Sequence, residues 1–109
     1  MRHFATVVIG GGAAGIMAAG VAASRGGNVL LCERMEKPQR KVRITGKGRC
    51  NLTNLCSEEE FLAKVRCGAD FFASALHRFD SEATMRFFER IGVPLTVERG
   101  RRVFPSSGK

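Results

Sequence analysis

The chain opens on an unbroken apolar run. Residues 4–9 (Phe-Ala-Thr-Val-Val-Ile) carry no charge and no helical spacing, and the run stops at Gly10, Gly11 and Gly12. A short continuous apolar run bounded by a turn signal predicts a strand buried on both faces. Ala13–Ser24 is built of small apolar residues and predicts a helix, ended by Gly26, Gly27 and Asn28, which tolerate positive φ. A second apolar run, Val29–Cys32, predicts another strand that stops on Glu33.

Further along, the apolar period becomes that of amphipathic helices. Ser57 followed by Glu60 is a capping-box pattern, opening a helix with Phe61, Leu62 and Val65 on one face. Phe71, Phe72, Ala75, Leu76 and Phe79 mark a second helix, whose phenylalanines are expected in the core. Asp80 or Ser81 caps a third, with Ala83, Phe87, Phe88 and Ile91 inward and Gly92 at its end. Leu95–Glu98 and residues 103–104 predict a hairpin of short strands around Gly100. Residues 40–54 (RKVRITGKGRCNLTN) fit neither a good helix nor a simple hairpin. Gly46 and Gly48 permit sharp turns there, and Asn51, Thr53 and Asn54 can bond back to the local backbone.

Strand, glycine turn, helix, strand and acid, in that order, predict a βαβ unit and the α/β class. Gly10, Gly12 and Gly15 fall on the G-x-G-x-x-G spacing. The first allows the tight turn, the second lets backbone approach a pyrophosphate, and the third lets the helix pack close to the sheet. The free N–H groups and positive dipole end of the helix then hold the diphosphate. Glu33 lies eighteen residues beyond Gly15, close to where a ribose-binding acid belongs. A carboxylate there accepts bonds from ribose hydroxyls and repels a 2′-phosphate. A purely structural βαβ unit is the alternative, and the match of all five parts disfavours it.

At 109 residues one domain with a modest core is the ceiling. No apolar run reaches membrane-spanning length, and the N-terminus enters the glycine turn too soon for a signal peptide. Cys32, Cys50, Cys56 and Cys67 lack C-x-x-C spacing. Reduced thiols in a cytoplasmic protein are expected, with neither disulfides nor a metal site. The net charge of +8 is uneven: nine Lys/Arg meet two acids through Asn54, and nine meet eight afterwards. The excess centres on Arg34, Lys37, Arg40, Lys41, Arg43, Lys47 and Arg49, opposed only by Glu36. Such a run neutralises cofactor phosphates, binds nucleic acid or is simply solvated. A Gly-x-Gly-Arg loop offers backbone N–H groups and a guanidinium together, a combination suited to anions.

Two blocks carry a family resemblance. Ile9-Gly10-Gly11-Gly12-Ala13-Ala14-Gly15 paired with Ile44-Thr45-Gly46-Lys47-Gly48-Arg49-Cys50-Asn51-Leu52-Thr53-Asn54 resembles the N-terminus of the HI0933-like flavoproteins. Members of that family are described as aminoacetone oxidase family FAD-binding enzymes and NAD(P)/FAD-dependent oxidoreductases. The ending, residues 100–109, is similar to another of its blocks, so the resemblance spans essentially the whole chain. It implies a Rossmann-like FAD-binding domain within a protein several times longer. By matching position, Gly10, Gly12, Ala13, Ala14 and Gly15 would line the FAD diphosphate and Glu33 would hold the adenosine ribose. Arg34, Lys41 and the loop Gly48, Arg49, Cys50 and Asn51 would lie along the diphosphate and toward the flavin ring. The commonest form of that loop has glycine where this chain has Lys47, which is strained if φ must be positive there. Arg43 also stands where an apolar residue is usual.

The leading expectation is therefore the N-terminal part, residues 1–109, of a FAD-dependent oxidoreductase, inactive by itself. Two parallel strands alone leave a sheet's faces and edges uncovered, so the domain is expected to be incomplete. NAD(P)H is a candidate electron donor. Substrates implied by the family are small amines or ketones, conjugated double bonds in steroid-like molecules, or a uridine in ribosomal RNA. The alternatives are a NAD(P)-binding Rossmann domain, encouraged only by Arg34 beside Glu33, and a basic module binding RNA through its phosphates. No residue stands out as catalytic. His77 has no partner motif, and Cys50 is expected to serve packing.

Overall fold

The computed structural model describes all 109 residues. They form two compact units, Met1–Thr45 and Gly46–Lys109.

The first unit is the expected βαβ. Strand β1 (Thr6–Ile9) leads through the glycine turn into helix α1 (Ala13–Ser24), which returns the chain to β2 (Val29–Cys32). The strands are parallel, with Thr6 opposite Val29 and Ile9 opposite Cys32. β1 begins two residues later than the apolar run predicts. Its partner starts only at Val29, and the N–H groups of Ala5 and Thr6 both turn to the Asn28 carbonyl, so residues 4–5 have no strand to pair with. The end of α1 is as its glycines require. Gly26 sits at φ +84° and donates to Ala23 O, while Gly27 donates to Ala22 O, the paired bonds of a Schellman stop.

Beyond β2 the structure corrects the sequence reading. Residues expected to be irregular form a one-turn helix, α2 (Arg40–Ile44). Gln39, at φ 59°, reverses the chain and its N–H donates to Gly11 O at 2.7 Å. Five residues without glycine or proline follow, enough for one turn before Thr45 and Gly46 stop it. The Thr45 hydroxyl donates to Val42 O at 2.8 Å.

The second unit is built on a three-stranded antiparallel sheet. The middle strand is β5 (Arg102–Pro105), flanked by β4 (Leu95–Glu98) and by a two-residue strand, β3 (Thr53–Asn54). The sequence predicts a self-bonded loop where β3 stands. Instead Thr53 pairs with Val103 and Asn54 with Arg102, because the neighbouring strand supplies better partners than local turns do. In β5, Val103 is 0 % and Phe104 1 % exposed. Successive strand residues point to opposite faces, so both faces of this strand are covered. Helix α5 (Ser81–Arg90) packs against β3 and β4, and the Thr53 and Ser81 hydroxyls lie 3.3 Å apart. Thr53 shares a face with Val103, so α5 begins on that face.

Helix α3 (Glu58–Leu62) carries the complete capping box: Glu60 N–H donates to Ser57 Oγ and Ser57 N–H to Glu60 Oε2. Helix α4 (Ala69–Arg78) packs on α3, with Phe72 stacked on Phe61 at 5.8 Å. Phe79 meets Phe87 edge-on, as Phe87 meets Phe88. The expectation of a core phenylalanine face fails: Phe71 is 92 % exposed, Phe72 38 % and Phe79 41 %, and the inward placement of Ile91 fails as well. Phe71 lies one position from Phe72, about 100° around the helix, so both cannot face α3.

Candidate dinucleotide-binding site

The glycine turn is held by its own neighbours. Gly10, at φ +100°, donates to Cys32 O at 2.7 Å, so the turn leaves β1 while still paired to β2. A side chain at Gly15 is impossible without movement, because its Cβ would stand 1.8 Å from the Gly10 carbonyl oxygen. This is the close helix–strand approach that the third glycine of the motif serves. Gly12 is the opposite case. It is the residue before the first turn of α1, and a Cβ there would meet nothing within 4 Å.

No side chain caps α1. The N–H groups of Ala13, Ala14 and Gly15 therefore lack intrahelical acceptors, and Ile16 is the first to bond back, to Gly12 O at 3.0 Å. Open space at Gly12, unclaimed donors and the positive end of a twelve-residue helix are the features that anion binding at a helix start requires.

Glu33 is fixed beside it. Its Oε2 accepts from Gly11 N–H at 2.7 Å and its Oε1 from Met35 N–H at 2.8 Å. Those bonds, Met35 first and Gly11 second, hold its carboxyl below the ordinary carboxylate value. Each oxygen keeps further acceptor capacity for a hydroxyl donor. The sequence reading missed the part played by Gly11. It is buried, and a Cβ on it would press to 3.0 Å on both Glu33 Oε2 and Pro38 Cβ. The run of three glycines, one more than the spacing needs at that point, was the available signal.

Arg34 and Lys41 are exposed, and neither side chain bonds to the rest of the chain. Gly48, Arg49, Cys50 and Asn51 belong to the second unit. Their loop runs through a succession of left-handed residues: Gly46 at φ 58°, Lys47 at 59°, Gly48 at 85° and Cys50 at 60°. Lys47 thus does occupy a conformation that favours glycine. Gly46 lies so close to Phe104 that a Cβ would stand 2.6 Å from the ring. The Arg49 guanidinium lies over the same ring, 4.3 Å from its centroid, and Nη1 donates to Glu98 Oε1 at 2.7 Å. Leu52 N–H donates to Val103 O, and Asn54 Nδ2 to Gly100 O. With its amide turned to suit its neighbours, Asn51 donates to Thr53 O and Val103 O. The loop is thereby fastened to the β4–β5 hairpin, with Glu98 and Phe104 as partners that sequence spacing did not connect to Arg49.

The four cysteines are unpaired, and no helix is long and apolar enough to cross a membrane. His77 is exposed, 3.3 Å from the Glu58 carboxylate.

Among curated proteins, the chain is 39 % identical over 104 residues to the 3-dehydro-bile acid delta(4,6)-reductase of Clostridium scindens, covering 92 % of this chain and 24 % of that protein. It is 42 % identical over 79 residues to the ribosomal RNA dihydrouridine synthase of Escherichia coli K12, covering 72 % of this chain and 19 % of the relative. The chain thus spans about a quarter or less of the length of these relatives. The family model for the HI0933-like protein Rossmann domain matches residues 4–109. That match takes in the glycine turn, Glu33, the left-handed loop and the hairpin alike, and by it the chain belongs to the HI0933-like Rossmann domain family.

Proposed function

We propose that this chain is the dinucleotide-binding part of a flavin-dependent oxidoreductase and holds the ADP portion of FAD. The observation that carries the reading is the uncapped start of α1, open at Gly12, with Glu33 fixed beside the turn by the Gly11 N–H. FAD suits this donor and acceptor set. Ala13, Ala14 and Gly15 supply backbone N–H groups for a diphosphate, Gly10 and Gly12 keep the approach free of side chains, and Glu33 accepts from ribose hydroxyls. The Glu33 charge disfavours a 2′-phosphate, which argues against NADP in this site. Arg34, Lys41, Gly48, Arg49, Cys50 and Asn51 join the proposed contacts on the family resemblance. When bound, the flavin supplies hydride and electron transfer, while the protein supplies position and electrostatics.

The reaction class proposed for the full-length protein is reduction of a conjugated carbon–carbon double bond. The two relatives support it: one is named as a delta(4,6)-reductase and the other for making dihydrouridine, and each name describes hydrogen added to an unsaturated ring. The test of the site is FAD titration of the full-length apoprotein beside its Gly12→Val variant. Stoichiometric flavin on the parent and its loss from a folded variant are expected, since a branched side chain would stand in the pyrophosphate's path. A folded Gly12→Val protein that stays fully loaded would sink the assignment.

A further inference from the structure

We propose that Gly11 is a positioning residue for Glu33: its missing side chain leaves the space the carboxylate occupies, and its N–H aims that carboxylate at the paired 2′- and 3′-hydroxyls of an adenosine ribose. The inference deepens the dinucleotide reading above and rests on it, and it lies wholly within the first compact unit.

Gly11 is not a glycine for the sake of its backbone. Gly10 needs a left-handed φ of +100°, whereas Gly11 is not among the positive-φ residues. The course of the chain therefore tolerates a side chain at Gly11, and its surroundings refuse one. A Cβ there would stand 3.0 Å from Glu33 Oε2, 3.3 Å from Glu33 Cβ and 3.0 Å from Pro38 Cβ. Both main-chain groups are committed as well. The N–H donates to Glu33 Oε2 at 2.7 Å, and the carbonyl accepts from Gln39 N–H at 2.7 Å. Residues 33–39 thus fold back onto Gly11.

The carboxylate is held by main chain alone. Oε2 takes the Gly11 N–H and Oε1 the Met35 N–H, and no side chain bonds to either. Each oxygen has acceptor capacity left, so hydroxyls on two neighbouring carbons can be met together. Gly12, where α1 begins, is the next residue, so these acceptors are fixed beside the proposed diphosphate donors. A methyl on Gly11 is relieved most cheaply by the carboxylate, which ends a rotatable side chain, whereas Pro38 Cβ belongs to a ring. Gly11→Ala is therefore expected to swing Glu33 aside while the start of α1 stays as it is.

The experiment compares ADP with 2′-deoxy-ADP by calorimetric titration of the full-length apoprotein. The parent is expected to prefer ADP roughly tenfold or more, the scale of a hydrogen bond to a charged group. Gly11→Ala should cut that preference roughly threefold or more, toward the value of Glu33→Ala, while its affinity for 2′-deoxy-ADP barely changes. Added to Glu33→Ala, it should change the preference no further. Should Gly11→Ala not fold, glycolic acid at position 11 replaces it: an ester oxygen takes the place of the N–H without added bulk, and the same fall is expected. An undiminished preference in the folded variant overturns the proposal. So does an equal loss of both ligands, which would come from general damage to the turn. A fall in preference that persists in the Glu33→Ala background overturns it too. A parent that binds both ligands equally overturns it as well, since Glu33 would then not read the ribose. If the parent binds neither, the dinucleotide reading falls and this inference with it. If the parent prefers ADP and only the Gly11 prediction fails, that reading stands.

Discussion

At the scale of single residues, two glycines three positions apart have opposite reasons to be glycine. Gly15→Ala places a methyl 1.8 Å from the Gly10 oxygen and must push α1 off β1. A loss of about 1–3 kcal/mol or more is expected in chemical denaturation. Gly12→Ala meets nothing in the chain, so its cost to the fold should stay near the small penalty of replacing glycine before a helix, while flavin retention falls. Glu33→Gln keeps the shape but halves the carboxylate acceptors. FAD affinity should drop roughly tenfold or more in a titration, the usual scale for hydrogen bonds to a charged group. Lys47 pays for its left-handed backbone, and Lys47→Gly should raise stability by up to about 1 kcal/mol, measured by thermal melting. The sequence made Gly10, Gly12, Gly15 and Glu33 legible because the spacing is local and periodic. It could not reveal Glu98 bonded to Arg49, since a contact between residues so far apart in the chain has no local signature.

Among elements, α1 and β2 agree with their expected bounds to the residue, and the Ser57–Glu60 box opens α3 as expected, but α3 stops at Leu62 and leaves Val65 outside the helix. The shortest elements lack such signals. α2 and β3 are too brief to show a period, and β3 exists only because β5 lies beside it. One tertiary tie converts a local cap into something with a measurable pH dependence. Glu60 serves the α3 capping box and also accepts two bonds from Arg101, at 2.9 and 3.0 Å. The Arg101 guanidinium, and then the Ser57 N–H, bring its carboxyl from 4.5 to about 2. A carboxyl depressed in the folded state stabilises fully above its ordinary value, and that contribution disappears as pH falls through the folded one. The gap in melting temperature between the parent and Glu60→Gln should therefore be constant above about pH 5, then shrink toward pH 2. A gap that persists unchanged at pH 2 would show that the tie is not the source.

For the whole molecule, the core is thin. Only Ala19, Leu76, Val103 and Phe104 among the apolar residues are buried, whereas Ile9 on β1 is 80 % exposed and Phe71 stands free on α4. Parallel strands are ordinarily covered on both faces, and β1–β2 leaves apolar side chains in water. Residues 1–109 produced alone are accordingly expected to self-associate through these surfaces and to lose flavin on purification. Sedimentation velocity and the visible spectrum of the purified material check both points. A monomer that melts cooperatively with one flavin bound would count against this picture.

The contact between Gly46 and Phe104 also sets an order of events. Everything that shapes the glycine turn, from Gly10 to Gln39, is synthesised before the loop around Arg49. That loop cannot take its left-handed course on a platform that does not yet exist, and Phe104 is synthesised more than fifty residues after Gly46. Contacts between distant parts of the chain form late because the intervening segment must first be closed. The βαβ turn is therefore expected to mature before the arginine loop, so that a nascent chain held short of Phe104 has its glycine turn while Arg49, already made, still lacks its platform.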